Sequence, residues 1–262
     1  MPDTACFCYG QFVLTTTRRD AILAELRDSG EVAVARLAVR FGVSTSTIRR
    51  DLNLLSKQGR LQRVRGGGAI EQEESRPFET VAQDRVASRE RIGAMAARLV
   101  QDHDVIILDI GTTVAQVARH LRGRRITVVT ASLAVVDALR DDPVVEVVVL
   151  GGVLRRSYLS FVGTLPEQAL SQITADIAFL GTSGVREDGS VLDTTSIEVP
   201  IKRAILTAAE RRVLVADDDK FPGAGLLAVC GPEEINTVVT NPTSSSPGLD
   251  VLRAQGTEVI TE

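Results

Sequence analysis

Between residues 105 and 240 the chain repeats one arrangement, a short uninterrupted apolar run followed by a stretch of helical period, and that repetition leaves few folds open. V-I-I-L-D-I (105–110) precedes V-A-Q-V-A-R-H-L, I-T-V-V-T (126–130) precedes L-A-V-V-D-A-L, and V-V-E-V-V-V-L (144–150) precedes an irregular stretch and P-E-Q-A-L-S-Q-I. I-A-F-L-G (177–181), V-L-V-A (213–216) and N-T-V-V-T (236–240) continue the series. Runs without polar alternation suit strands covered on both faces, and strands separated by helices pair in parallel. The expected body is an α/β domain, a mostly parallel sheet with helices on both sides, whose ligand site lies at the carboxyl ends of the strands. Its core must rest on Val, Leu, Ile and Ala, because aromatic residues are 3 % of the chain and Trp is absent.

At 262 residues the chain is long enough for two domains of unequal size. The formal charge of -4 hides an uneven distribution: residues 15 to 70 hold eleven basic side chains against five acidic ones, and the rest is acidic. A basic head on an acidic body predicts a polyanion partner for the head alone. Cys6, Cys8 and Cys230 form no disulfide framework, and Cys6 and Cys8 lack the further ligands that tetrahedral zinc requires, so no metal and no cofactor is expected. The first residues lack the basic region of a secretory signal, and no apolar run reaches the ~18 residues of a membrane span. A soluble cytoplasmic protein without a membrane partner is expected.

The head reads as three short helices and a hairpin. Ile22, Leu23 and Leu26 form one stripe that stops at Gly30; V-A-V-A-R-L-A-V-R-F-G is a second helix ending at Gly42; Thr45 to about Lys57 is a third. R-L-Q-R-V-R-G-G-G-A then reads as a small hairpin, or wing. On the third helix ~100° per residue puts Ile48, Leu52 and Leu55 inward and Ser46, Arg49, Arg50 and Asn53 outward, with Ser44 placed to cap the first turn. Arginine can fork onto guanine, Asn can pair with adenine, and Ser44, Thr45, Ser46 and Thr47 can meet phosphate. Lys57, Arg60, Arg63 and Arg65 extend the positive surface along the wing. The bland alternative is a solvated helix face with Asp51 pairing locally; the preceding helix, the Gly-Val-Ser turn and the charge asymmetry weigh against it.

The string V-S-T-S-T-I-R-R-D-L-N-L-L-S-K-Q-G-R-L-Q-R-V-R-G-G-G-A resembles the DeoR-type winged helix-turn-helix. Two positions depart from that pattern: Ala33 stands where a Ser or Thr cap is usual, and Arg65 where the wing commonly has His. The organisation expected is a tail over residues 1–14, the DNA-binding domain over 15–70, a charged linker over 71–86 and an effector-sensing domain over 87–262.

In the body, L-D-I-G-T-T-V-A-Q-V-A-R-H-L carries the main chemical signal. A strand ends at Asp109, Gly111 permits a tight turn, and Thr112 and Thr113 open a helix whose N-terminus can hold an anion. The same features often serve only as turn and cap. D-I-G-T-T, V-T-A-S, L-G-G-V-L-R, F-L-G-T-S-G, E-V-P-I-K-R-A and A-D-D-D-K-F together resemble the DeoR effector domain, similar in fold to ribose-phosphate isomerase and the glucosamine-phosphate isomerases. That resemblance implies a phosphorylated sugar or polyol held by Gly111, Thr112, Thr113, Thr130, Ser132, Gly151, Gly152, Glu198, Lys202 and Lys220, with Asp109 and Asp217 as further carboxylates of the site. Glu198 and Lys202, four residues apart, could instead be an ordinary surface helix pair, and the two glycines only a turn. Ala131, Arg89 and the pair Asp218 and Asp219 stand where the family commonly has Asn, Lys and Ser-Ser, and the added carboxylates would repel an anion unless they point away.

The rival reading is a sugar-phosphate isomerase with a fused DNA-binding domain. It needs a general base beside the substrate carbon. Asp109, Asp217 and Glu198 offer carboxylates, but His120 lies at the far end of its helix and His103 ahead of its strand. A purely architectural DNA binder would need no large second domain. The expectation is a homo-oligomeric transcriptional repressor, not an enzyme, released from operator DNA by a phosphorylated sugar or related metabolite.

Overall fold

The computed structural model describes residues 18, 19, 21, 22, 25, 31–57, 62–64, 67–69, 78–241 and 246–261. The chain divides into two compact units, Met1–Glu74 and Ser75–Glu262.

In the first unit β1 (Glu31–Ala33) leads into α1 (Val34–Phe41), which a turn joins to α2 (Thr45–Lys57); β2 (Gln62–Val64) and β3 (Gly67–Ala69) form the wing. β3 lies between β1 and β2, antiparallel to both. Val32 and Ala33, read from sequence as the start of a helix, are strand instead, because their backbones pair with Gly68 and Gly67 of the wing. α1 therefore begins at Val34 with Ala33 as an N-cap that has no side chain to offer. Gly42 ends α1 at φ 63°, a conformation open to glycine, and returns the chain to α2. There Ser44 Oγ accepts from the Thr47 amide at 3.2 Å, the cap that its position predicted.

Ile22, Val32, Leu37, Ile48, Leu52 and Leu55 make one apolar core, so the inward face of α2 is as expected. Leu23, Leu26 and Gly30 of the first helix, Arg60 and Arg65, and the tail before residue 15 lie outside the described residues, as do the side chains of Lys57 and Arg63. Asp51 is the buried exception on α2. It accepts from Arg18 Nε at 2.7 Å and Arg19 Nε at 2.8 Å, so it does not pair locally with Arg49 or Arg50. Replacing Asp51 by Ala is expected to destabilise this unit by about 2 kcal/mol, since two charge-assisted bonds vanish together. Faster hydrogen exchange along α2 is the readout.

The second unit opens with α3 (Phe78–Ala82) and α4 (Val86–Ala97). Residues 78–86, read from sequence as linker, are thus helix and turn, and Phe78 is buried against the body. The sheet follows as β4 (Val105–Leu108), β5 (Thr127–Thr130), β6 (Glu146–Val149), β9 (Ala175–Leu180), β12 (Ala209–Val215), β14 (Thr237–Val239) and β15 (Glu258–Ile260). All seven strands are parallel in the order β15-β14-β12-β9-β4-β5-β6.

Adjacent residues of one strand serve opposite cores, as a period of two requires. Ile107, Ala178 and Leu214 face a core completed by α7 (Thr164–Leu170), α8 (Val199–Ala208) and α9 (Pro247–Ala254). Ile106, Phe179 and Val213 face the other, completed by α4, α5 (Thr112–His120) and α6 (Leu133–Leu139). The helix-covered parallel sheet is therefore as read from the apolar runs. One run differs: β6 is an edge strand whose Val148 and Val149 are exposed, not buried on both faces. Two additions carried no periodic signal, the hairpin β7 (Val153–Arg155) and β8 (Ser160–Val162), and a small antiparallel sheet of β10 (Gly184–Val185), β11 (Val191–Asp193) and β13 (Leu227–Cys230).

Candidate nucleic-acid interface and effector site

α2 presents Ser44, Thr45, Ser46, Arg49, Arg50 and Asn53 to solvent on the side away from Ile48, Leu52 and Leu55, with Thr47 half-buried at the cap. The hydroxyl of Ser44 also lies 2.8 Å from that of Ser46 and 2.9 Å from that of Thr47, so the first turn is held without charged partners. Asp51 is turned inward, and among the described residues Arg49 and Arg50 form no ion pair. Two guanidinium groups projecting beside a helix N-terminus form a surface that suits phosphate and base edges.

In the second unit the carboxyl ends of β4 and β9 hold a buried charge cluster that includes three of the expected effector residues, Asp109, Glu198 and Lys202. Lys202, on α8, places its ammonium on Asp109 at the end of β4, 2.9 Å from the Gly181 carbonyl and 3.6 Å from Asp193 at the end of β11. The Gly181 amide donates to the same Asp109 oxygen at 3.0 Å. Burial alone would lower the Lys202 pKa, yet the carboxylates of Asp109 and Asp193 raise it, so the ammonium stays charged. Asp109 Oδ1 is buried and has no hydrogen-bond partner among the described residues.

Glu198, one turn before Lys202, accepts from Arg155 at 3.0 Å and from the Ser160 hydroxyl at 2.8 Å. Burial pushes its carboxyl above the usual range despite Ser160, Lys202 and Arg155, all of which favour the charged form. Glu198 and Lys202 are thus not a surface pair: both are buried, and each is bonded to a different strand. Arg155 also reaches Thr195 Oγ1 at 3.3 Å and lies over the Tyr158 ring, 5.3 Å from its centroid.

The other expected residues divide by role. Gly111, at φ 110°, makes the turn into α5, with Thr112 buried and Thr113 half-buried in its first turn. Thr130 donates its hydroxyl to the Leu108 carbonyl at 2.7 Å, and Ser132 caps α6 while bridging to Ser160. Both side chains are buried parts of the scaffold. Gly152 is a packing position, since a Cβ there would lie 2.7 Å from the Val162 carbonyl; Gly151 meets nothing within 4 Å.

Asp217 is not joined to the Lys202 cluster. Its oxygens accept from Ser88 Oγ at 2.6 Å and Arg89 Nε at 2.9 Å, both on α4. Arg85 pairs with Asp218 and lies 3.6 Å from Asp219, so the two unusual carboxylates are engaged by an arginine. Lys220 is partly exposed, with Asp219 at 3.6 Å. Sequence reasoning missed Arg155, Ser160, Asp193 and Arg85. A charge closing the apolar runs V-L-R and V-L-D was the available signal for Arg155 and Asp193.

Comparison with known proteins places both units. Residues 18–74 match the DeoR-like helix-turn-helix domain and residues 84–242 match the DeoR C terminal sensor domain. The chain is 33 % identical over 251 residues to a protein of Escherichia coli O157:H7 named for repression of the aga operon, covering 94 % of this chain and 93 % of that one. It is 32 % identical over 243 residues to the glycerol-3-phosphate regulon repressor of Escherichia coli K12, covering 91 % and 94 %. It is 29 % identical over 226 residues to the L-fucose operon activator of Haemophilus influenzae, covering 86 % and 91 %. Ribose 5-phosphate isomerase A of Methanocaldococcus jannaschii shares 18 % identity over about half of each chain, at a TM-score of 0.38, a likeness that carries no functional weight. With both of its units matched and relatives aligned over nearly their full length, the chain belongs to the DeoR family of transcriptional regulators.

Proposed function

We propose that this protein represses a sugar or polyol catabolic operon and that a phosphorylated sugar or polyol releases it from operator DNA. The observation that carries the DNA half is α2, whose two arginines stand on the exposed face of the DeoR-like helix-turn-helix while Asp51 is bonded inward. Operon repressors of glycerol-3-phosphate and aga genes among the relatives support the metabolic half. A homo-oligomer fits this reading, because paired helix-turn-helix units read two half-sites. Among the described residues no helix is long and apolar enough to cross a membrane.

In this reading the effector's phosphate sits at the first turn of α5, on Gly111, Thr112 and Thr113, with Lys220 as the accessible cation. Lys202 does not serve the phosphate, since its ammonium is already held by Asp109, Asp193 and the Gly181 carbonyl. The unpartnered Asp109 Oδ1 would accept from an effector hydroxyl, which suits a polyol or sugar better than a simple anion. Two titrations test the proposal. A duplex from upstream of the gene should bind with an affinity that falls steeply with salt, as released counterions require. Glycerol 3-phosphate, ribose 5-phosphate and glucosamine 6-phosphate should differ in calorimetric binding to the free protein. Lys220→Ala should leave operator affinity unchanged and weaken the best of these ligands by about 10-fold or more. Equal ligand binding by wild type and variant would remove Lys220 from the site.

A further inference from the structure

The first helices of the sensor unit are held at both ends by the loops that carry the candidate effector residues. At the start of α3 the Phe78 amide donates to the Ser157 carbonyl at 2.9 Å, and the Phe78 ring meets the Tyr158 ring edge-on, with centroids 6.1 Å apart and planes at 89°. Ser157 and Tyr158 form the tip of the β7–β8 hairpin. Both strands of that hairpin enter the charge cluster, β7 through Arg155 on Glu198 and β8 through Ser160 on Glu198 and beside Ser132. At the other end Arg89 ties the carbonyls of Val81 and Asp84, which close α3, to Asp217. Asp217 is the first residue of the loop that leads to Lys220, and Arg85 and Ser88 fasten the same loop.

Phe78 therefore touches neither the Lys202 cluster nor Lys220 directly, yet two separate chains of contacts run from it to both. In sequence it also lies four residues after Glu74, where the first unit ends. Five residues of helix cannot hold themselves in water, so the position of α3 depends on its contacts with the rest of the unit, these two anchors and the packing against α5 among them. An element with that property can be docked or released by a small change at either anchor.

We propose that α3 is the transmitter of the effector signal, with Phe78 seated on the Tyr158 hairpin as the coupling contact. Occupying the site changes how the hairpin and the Asp217 to Lys220 loop grip α3, and the docking of Phe78 in turn sets operator affinity. This rests on the functional reading above and adds the residue through which that function is regulated. Phe78 is a positioning residue here, not a ligand of DNA or of effector.

The test is a ratio. Operator affinity of the full chain is measured by fluorescence anisotropy with and without saturating amounts of whichever of the three sugar and polyol phosphates binds, for wild type, Phe78→Ala and Phe78→Leu. Couplings of this kind are typically about 5- to 150-fold, and the ratio should fall below about 2-fold in Phe78→Ala while Phe78→Leu, which refills the seat, keeps most of it. Calorimetry should still show the phosphate bound by Phe78→Ala. A permanently inactive fraction of the protein scales both affinities equally and cancels in the ratio, and circular dichroism with and without the phosphate checks that the folded fraction is the same in both. A Phe78→Ala protein that keeps the wild-type ratio, or loses it only because the phosphate no longer binds, overturns the inference and leaves the functional reading standing. A wild type indifferent to all three phosphates overturns that reading, and the inference falls with it.

Discussion

Replacing Lys202 by alanine is expected to destabilise the sensor unit by about 3–5 kcal/mol, the usual result of removing one partner from a buried ion pair. The Lys202 side chain is 3 % exposed, and its ammonium faces Asp109, Asp193 and the Gly181 carbonyl. Its loss leaves two buried carboxylates and a carbonyl facing one another without a cation, held only by backbone amides, and one Asp109 oxygen is already unpartnered among the described residues. A cavity term adds to this, and Lys202→Met separates the two: methionine restores most of the volume and none of the charge. If charge dominates, both variants lose similar stability in urea unfolding followed by far-ultraviolet circular dichroism. Recovery by methionine alone would place the loss in packing, and a Lys202→Ala protein within 1 kcal/mol of wild type would contradict the assigned network.

The second large effect is on DNA. Replacing Arg49 and Arg50 together by alanine should weaken operator binding by about 2–4 kcal/mol, since a well-placed arginine contact is worth ~1–3 kcal/mol. Folding should barely change, because the pair lies on the exposed face of α2 and the helix is held by Ile48, Leu52 and Leu55 from behind. The single Arg50→Ala variant should lose about 1–3 kcal/mol and relax discrimination at one base position, read by binding to a set of single-base operator variants. Binding of the double variant within threefold of wild type would mean that another surface meets the DNA.

These expectations rest on features of unequal legibility in the sequence. Six of the seven sheet strands and α2 were readable because their signals are local: uninterrupted apolar runs for buried parallel strands, and a period of 3.6 with Ser44 as cap for the helix; β15 was not read. β1 was not, because Val32 and Ala33 suit either state and only pairing with Gly68 and Gly67 decides between them. The edge position of β6 was hidden for the same reason, since a run of valines does not say how many neighbours its strand will have. For the candidate site, the residues at strand ends carried a signal in the sequence, but their bonding partners did not. The alternative of a helix surface pair stayed open for Glu198 and Lys202 because sequence spacing reports neighbours on one element only. Their true partners, Arg155 and Asp109, lie 43 and 93 positions away along the chain. Asp51 shows the same limit in the first unit, where its partners Arg18 and Arg19 come from another helical segment.

The departures from the family pattern also acquire a physical reason. Asp218 and Asp219, which on paper oppose an anion, face Arg85, and the Asp218 carboxyl is held below its usual range: burial opposes this, but Asn241 and Arg85 outweigh it. Arg89 makes three bonds, to Asp217, Val81 and Asp84, where a single ammonium would have less reach. Arg85 thus offsets part of the charge that Asp218 and Asp219 add, while Asp219 also lies 3.6 Å from Lys220.

The most direct measurement is release of the assembled complex. A fluorescent duplex from upstream of the gene is saturated with the full chain at moderate salt, and glycerol 3-phosphate, ribose 5-phosphate and glucosamine 6-phosphate are titrated in separately. The account predicts that at least one of them lowers the anisotropy to that of free DNA along a saturable curve, while the unphosphorylated parent compound does so only at much higher concentration. A complex that forms but ignores all three, or one released equally by inorganic phosphate, would contradict it.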